Sequence, residues 1–198
     1  MDFVLSKVGG EIKMTLIMID AGHGPETPGK RSPDGKLREF HFNSAVSDFV
    51  RDYLLVEGIT VIFPHNSRKD VPLNERTTSA NKMNVDAFVS IHANAYGTDW
   101  NSANGIETYI YTGAMAESIS LANLVQSSLI TACNRRNRGV KRADFAVIRQ
   151  TKMPAILVEC GFMTNREEAN LLMNKLYQKR CAQAIAFALS SWLYRGRK

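Results

Sequence analysis

TLIMIDAGHG, residues 15–24, runs from an apolar stretch into a histidine flanked by glycines, and VDAFVSIH, residues 85–92, likewise closes an apolar stretch on a histidine. Short apolar runs bounded by turn residues read as buried strands. Between them, Phe42, Ala45, Val46, Phe49, Val50, Tyr53 and Leu54 recur at helical spacing, and Gly58 supplies the stop. Working outward, residues 59–63 read as a strand and 73–84 as a short helix. Downstream, GIETYIYT (105–112) is strand-like in its β-branched and aromatic content, and Leu121, Ala122, Val125, Leu129 and Ala132 mark a helix. Residues 145–148 and 155–159 complete the predicted strands. The last helix carries Cys181, Ala184, Ile185, Ala188, Leu189, Trp192 and Leu193 on one face. Strands alternating with helices predict an α/β fold: a three-layer domain whose mostly parallel, twisted sheet is flanked by helices, and which GIETYIYT can join antiparallel. The pattern does not give the strand order.

With 198 residues and 44% apolar composition, the chain suits one domain with a sizeable core, and no apolar run approaches the ~18 residues of a membrane span. Cys133, Cys160 and Cys181 are odd in number, lack CxxC spacing and lie in apolar stretches, which predicts buried thiols rather than bridges or metal ligands. The net charge of +6 is local: Arg135, Arg136, Arg138, Lys141 and Arg142 cluster, and Arg195, Arg197 and Lys198 end the chain. Such patches favour polyanions, and a solvated loop and a cationic helix end are the plainer reading. Residues 1–13 (MDFVLSKVGGEIK) lack the apolar core and cleavage site of a secretory signal, and read as an extension or an appended remnant before Met14.

His23, His92 and Glu159 all fall at or just beyond the C-terminal ends of predicted strands, where open α/β sheets place their ligands. Residues 24–38 hold three of the six prolines without periodicity, a long loop of the kind that is usually functional. Glu39 lies three residues before Phe42 and so extends the apolar stripe of its helix, aiming a carboxylate at the core. A buried charge of that kind needs a cation; the alternative is a first-turn glutamate favoured by the helix dipole. Two histidines and one carboxylate form the protein ligand set of hydrolytic zinc sites with an open fourth position. Gly22 and Gly24 read as room for a sharp turn and for substrate. Asn94, Arg76 and Glu107 are weaker candidates, Arg76 with a structural ion pair as its favoured reading, and His41 and His65 read as surface or satisfied histidines.

IDAGHG with His23, LREFHFN with Glu39, SIHANA with His92, NGIETYIY, and PAILVECGFMTN with Glu159 occur together in this order. In these motifs the chain resembles the zinc-dependent N-acetylmuramoyl-L-alanine amidases, the type 3 amidase catalytic domain of bacterial cell-wall hydrolases and phage endolysins. The resemblance covers nearly everything from Met14 to Leu193. It implies one Zn²⁺ bound by His23, Glu39 and His92, Glu159 as the catalytic carboxylate, peptidoglycan as substrate, and action at the bacterial cell wall. It divides the chain into an extension (1–13), a catalytic domain (14–194) and a basic tail (195–198). No long insertion follows GIETYIY of the kind that houses an inhibitory helix in some division amidases, so an open site is expected. The lack of a signal fits a phage or prophage lysin released by another protein, or an excised catalytic domain. A monomer is expected, with no nucleic acid as partner and with anionic wall polymers meeting Arg135, Arg136, Arg138, Lys141 and Arg142. The competing readings are a zinc peptidase or carboxypeptidase acting on wall peptides, and a non-catalytic polyanion-binding domain.

Overall fold

The computed structural model describes residues 6–8 and 11–195. In chain order the elements are β1 (Ser6–Val8), β2 (Glu11–Lys13), β3 (Leu16–Ala21), α1 (Glu39–Val56), β4 (Thr60–Ile62), α2 (Leu73–Met83), β5 (Ala87–Asn94), β6 (Ile106–Tyr111), α3 (Ala116–Cys133), β7 (Asn137–Ala143), α4 (Ala146–Arg149), β8 (Ala155–Phe162), α5 (Arg166–Met173) and α6 (Lys175–Arg195). Strands β1 and β2 pair with each other in a separate two-stranded sheet, and the rest of the predicted extension, residues 1–5 and 9–10, lies outside the described residues, as does the tail at 196–198.

Six strands form one sheet in the order β4-β3-β5-β8-β6-β7. The first four are mutually parallel, β6 runs antiparallel to β8, and β7 runs parallel to β6. GIETYIYT therefore does join antiparallel. The two-residue alternation of each strand splits its side chains between two cores. Ile17, Ile19, Val89, Ile91, Ile156 and Val158 pack with the stripes of α1 (Phe42, Val46, Val50, Leu54), α3 (Leu121, Val125, Leu129) and α6 (Cys181, Ile185, Leu189). Met18, Phe88 and Leu157 pack on the other face with Ala80 of α2 and Val147 and Ile148 of α4. Each fully buried Leu, Ile or Phe contributes about 1.5–3 kcal/mol, so this double-sided burial is the main source of stability. Among the described residues no helix is long and apolar enough to cross a membrane.

Two sequence expectations fail in the same stretch. Residues 145–148, expected as a strand, enter the short helix α4, where Val147 and Ile148 are both buried against the second core. Consecutive burial of neighbours suits a helical turn, and four apolar residues do not define a period. Most of the basic segment, expected as a loop, lies in the edge strand β7, which begins after Arg136 and has Gly139 at φ 79°. Charged side chains on an edge strand also discourage pairing with another chain.

Candidate metal centre

On the face that carries Met18, Phe88 and Leu157, the strands turn polar toward one edge of the sheet. Continuing the alternation, β3 offers Asp20, β5 offers Ser90 and His92, and β8 offers Glu159. His92 is the register partner of Glu159, and Glu159 that of Glu107 on β6. Register partners share a face, so His92, Glu159 and Glu107 form one row across three neighbouring strands.

His23 follows β3 and takes the left-handed backbone conformation, φ 63°, which is uncommon for a residue with a side chain. The guanidinium of Arg76, on α2 and 2% exposed, holds it there by donating to the carbonyls of Ala21, His23 and Val71 and to Asp20. Arg76 is thus a structural ion pair, 2.8 Å from Asp20. The flanking glycines admit close neighbours. A Cβ on Gly22 would lie 2.1 Å from Cε1 of His92, and one on Gly24 would lie 2.0 Å from Oδ1 of Asp70. Gly22 is the cradle of the His92 ring.

Glu39 opens α1 and is only 3% exposed, so its stripe position does bury it. Its Oε1 lies 2.9 Å from Nδ1 of His92 and its Oε2 lies 3.2 Å from Nε2 of His23. The backbone N–H of Ala93 and the amide of Asn43 also donate to Oε1, each at 3.3 Å. The two imidazole rings stand 5.1 Å apart and nearly perpendicular. One ligand atom from each of His23, Glu39 and His92 can be chosen so that all lie within 4.8 Å of one another. The donor set fits a divalent cation: two imidazoles and a carboxylate converge, with the carboxylate buried between the rings. Burial alone would raise the pKa of Glu39, but the hydrogen bonds from His23 and His92 outweigh it and hold the carboxyl well below its usual range. For His92, burial works against the charged ring, and the Glu39 carboxylate overcomes it and raises the pKa.

Glu159 is in a different situation. Its Oε2 is buried and has no hydrogen-bond partner. Burial pushes its pKa up to about 8; His92 opposes this, while the charges of Glu39 and Glu107 add to it. Glu107 accepts hydrogen bonds from Asn94 at 2.8 Å, Tyr109 at 2.7 Å, Arg138 at 2.5 Å and also Lys141. Against the cost of burial, Lys141, Arg138 and Tyr109 hold the Glu107 carboxyl below its ordinary value.

Other candidates settle into place. Asn94 ties Glu107 to β5 and caps the Ala95 N–H. His65 is a satisfied histidine, its Nδ1 accepting from the Ala21 N–H at 3.0 Å between the rings of Phe40 and Phe63, and His41 is exposed. All three cysteines are free and buried. Within the basic cluster, Arg135 pairs with Glu167 and Glu168, Arg138 and Lys141 pair with Glu107, and Arg142 donates to the carbonyls of Tyr111 and Thr112. The side chain of Arg136 is exposed. Asp20 and Ser90 were not among the expected site residues, although counting by twos from Met18 and Phe88 would have placed polar side chains on a buried face.

A family model described as N-acetylmuramoyl-L-alanine amidase matches residues 17–191. The chain is 38% identical to the uncharacterized protein YqiI of Bacillus subtilis over 91% of this chain and 86% of that one. It is 36% identical to the N-acetylmuramoyl-L-alanine amidase LytC of the same organism over 92% of this chain, and it spans 37% of that longer protein. The crystal structure of an N-acetylmuramoyl-L-alanine amidase from Clostridium difficile 630 superposes with a TM-score of 0.87 at 33% identity, covering 91% of this chain and 97% of the other. The matched residues run from the start of β3 nearly to the end of α6 and hold all four of His23, Glu39, His92 and Glu159, so the chain belongs to the N-acetylmuramoyl-L-alanine amidase family.

Proposed function

We propose that this protein hydrolyses the amide bond between the lactyl group of N-acetylmuramic acid and L-alanine in peptidoglycan, using a zinc ion bound by His23, Glu39 and His92 and using Glu159 to move the proton. The observation that carries this reading is the convergence of the three ligand atoms within 4.8 Å, one of them on His92, the register partner of a carboxyl whose Oε2 has no partner. A Zn²⁺ held by two neutral imidazoles and one carboxylate would keep a net charge of +1, polarising the scissile carbonyl and acidifying a water molecule.

The protein's own groups do the rest. Glu39, buried and held ionised, keeps both imidazoles turned toward one point. Glu159 accepts the proton of the attacking water at Oε2 and delivers it to the departing alanine nitrogen, acting first as general base and then as general acid. Its raised pKa suits a group that must hold and release a proton near neutrality. The catalytic unit spans residues 14–194 and acts at the bacterial cell wall as a monomer. Contact with anionic wall polymers falls mainly to Arg136 and Arg142, because Arg135 is paired with Glu167 and Glu168, and Arg138 and Lys141 are tied to Glu107.

Digestion of purified peptidoglycan tests the bond. New L-alanine amino termini with intact glycan are expected, activity should vanish on zinc removal and return on readdition, and His23→Ala, Glu39→Ala and His92→Ala should each lose metal. Internal peptide cuts would make the protein a peptidase; full activity in verified metal-free protein would end the zinc reading.

A further inference from the structure

Behind His92 lies a buried polar chain that the hydrolytic reading does not use. Arg76 donates from Nη1 to Oδ1 of Asp20 at 2.8 Å, and Ser90 donates from Oγ to Oδ2 of Asp20 at 2.7 Å. Ser90 Oγ lies 3.1 Å from Nε2 of His92, whose Nδ1 faces Glu39 at 2.9 Å. Asp20, Ser90 and Arg76 are each no more than 2% exposed. Asp20 and Ser90 are register partners on β3 and β5, and Ser90 and His92 are successive residues on one face of β5.

The direction of these bonds is fixed by the inventory of donors. A carboxylate paired with arginine can only accept, and a serine hydroxyl has one proton. Given to Asp20, that proton leaves only lone pairs on Ser90 Oγ for His92. A lone pair there requires a proton on Nε2. A neutral imidazole carries one proton, so a ring that binds a cation while Nε2 keeps its proton offers the lone pair of Nδ1, the nitrogen that here donates to Oε1 of Glu39 at 2.9 Å.

We infer that Arg76, Asp20 and Ser90 are positioning residues that keep the His92 ring proton on Nε2, so that Nδ1 is the nitrogen presented to the cation. The Gly22 cradle supports this by confining the ring against the backbone of the neighbouring strand. The inference rests on the reading of His23, Glu39 and His92 as a cation site. Groups that hold the far nitrogen of a metal-binding histidine commonly affect metal affinity by 10–100-fold.

Asp20→Asn is the most telling variant, being close to isosteric. Its oxygen stays with Arg76, so its NH₂ faces Ser90 and donates to Oγ. The serine proton then turns toward Nε2, the whole chain reverses, and the ring proton is driven to Nδ1. Ser90→Ala removes the acceptor without reversing anything and leaves the Arg76–Asp20 pair intact, so it keeps the test alive if Asp20→Asn folds poorly. Zn²⁺ affinity, measured by competition with a chromophoric chelator, is expected to fall about tenfold in Ser90→Ala and about a hundredfold in Asp20→Asn. With ¹⁵N-labelled histidine in the zinc-loaded wild type, the ring should show a protonated Nε2 and a metal-bound Nδ1. The chain's four histidines keep that spectrum assignable. Variants that lower the melting temperature of the metal-free protein while leaving zinc affinity within twofold and the ring spectrum unchanged would reduce the chain to core packing and overturn the inference. Wild type that binds Zn²⁺ with the proton on Nδ1 would overturn it alone. Wild type that binds no Zn²⁺ would overturn the cation reading beneath it.

Discussion

Glu159 and Glu107 sit side by side, register partners on β8 and β6 with side chains on one face, and the protein treats them in opposite ways. Glu107 is surrounded by donors, from Asn94, Tyr109, Arg138 and Lys141, and is held ionised. Glu159 has a buried oxygen with no partner, and its pKa is pushed up to about 8. A satisfied carboxylate is a fixed charge. An unsatisfied one in the same row is free to take a proton, and its ionised neighbour helps it to do so. Pairs of titratable groups whose pKa values are driven apart are a common mark of acid–base sites.

The largest effect that could break this contrast is a kinetic one. Glu159→Gln keeps size and polarity but cannot take a proton at Oε2, and should lower kcat by on the order of 10²–10⁴ with zinc content unchanged. Glu107→Gln should cost less than about tenfold in kcat and instead lower stability by about 1–3 kcal/mol, because Arg138 and Lys141 lose their shared counter-charge. Single-turnover rates, zinc content and urea unfolding of both variants decide the matter. Loss of zinc in Glu159→Gln would make that residue a ligand, and near-normal turnover would remove it from the mechanism.

Next in size is the pH dependence of stability in the metal-free protein, where the two carboxyls have opposite signs. The folded pKa of Glu159, about 8, lies above the ordinary 4.5, so its stabilising contribution is complete below about pH 4.5 and is lost as pH rises toward 8. Glu107 is depressed, so its contribution is present above pH 4.5 and is lost as pH falls through its folded pKa. His92, with a raised pKa, adds to the alkaline loss, and Glu39, with a depressed one, adds to the acid loss. Melting curves should therefore show Glu159→Gln flattening the fall in Tm between about pH 5 and 8 by several degrees, and Glu107→Gln flattening the fall in acid. The same slope in wild type and Glu159→Gln would mean that Glu159 is ionised in the folded protein.

How much of this is legible in the sequence depends on how many neighbours a residue needs to show its role. Glu39 was legible because one helix's periodicity aims it inward, and it is buried as that stripe requires. His23, His92 and Glu159 were legible because each closes or follows an apolar run that reads as a strand, although β5 continues to Asn94 and β8 to Phe162. Glu168 shows the opposite case. It too sits in the first turn of a helix and is 1% exposed, yet its carboxylate is spent on the backbone N–H groups of Gly105 and Phe162 and on Arg135. Nothing in its local pattern separates it from Glu39 except the Asn165 cap three residues earlier, whose side chain accepts from the Glu168 N–H. Alternation alone puts Asp20 and Ser90 on a buried face, but that they meet needed the strand register, which is set by pairing between segments 70 residues apart. Strand β7 was hidden by its composition: its charges read as solvated until Glu107 is placed beside them.

That hidden strand, with Arg136 just before it, gives the smallest and last test, because together they carry cations of two kinds. Arg138 and Lys141 belong to Glu107, whereas Arg142 donates to the carbonyls of Tyr111 and Thr112 and has no carboxylate partner among the described residues, and Arg136 is exposed. If the contrast between the two carboxyls is sound, the two kinds should separate by substrate. Arg136→Gln with Arg142→Gln should slow hydrolysis of whole walls by about two- to threefold at low salt, fade as salt screens the surface, and leave a soluble muropeptide unaffected. Arg138→Gln with Lys141→Gln should instead slow both substrates alike and independently of salt, because it strips Glu107 of the charges that keep it ionised beside Glu159. Rates on walls and on a soluble muropeptide, each across a salt series, distinguish the pairs. Equal, salt-dependent losses from both pairs on walls alone would return all four cations to one surface patch, and Glu107 would then have no special hold on its neighbour.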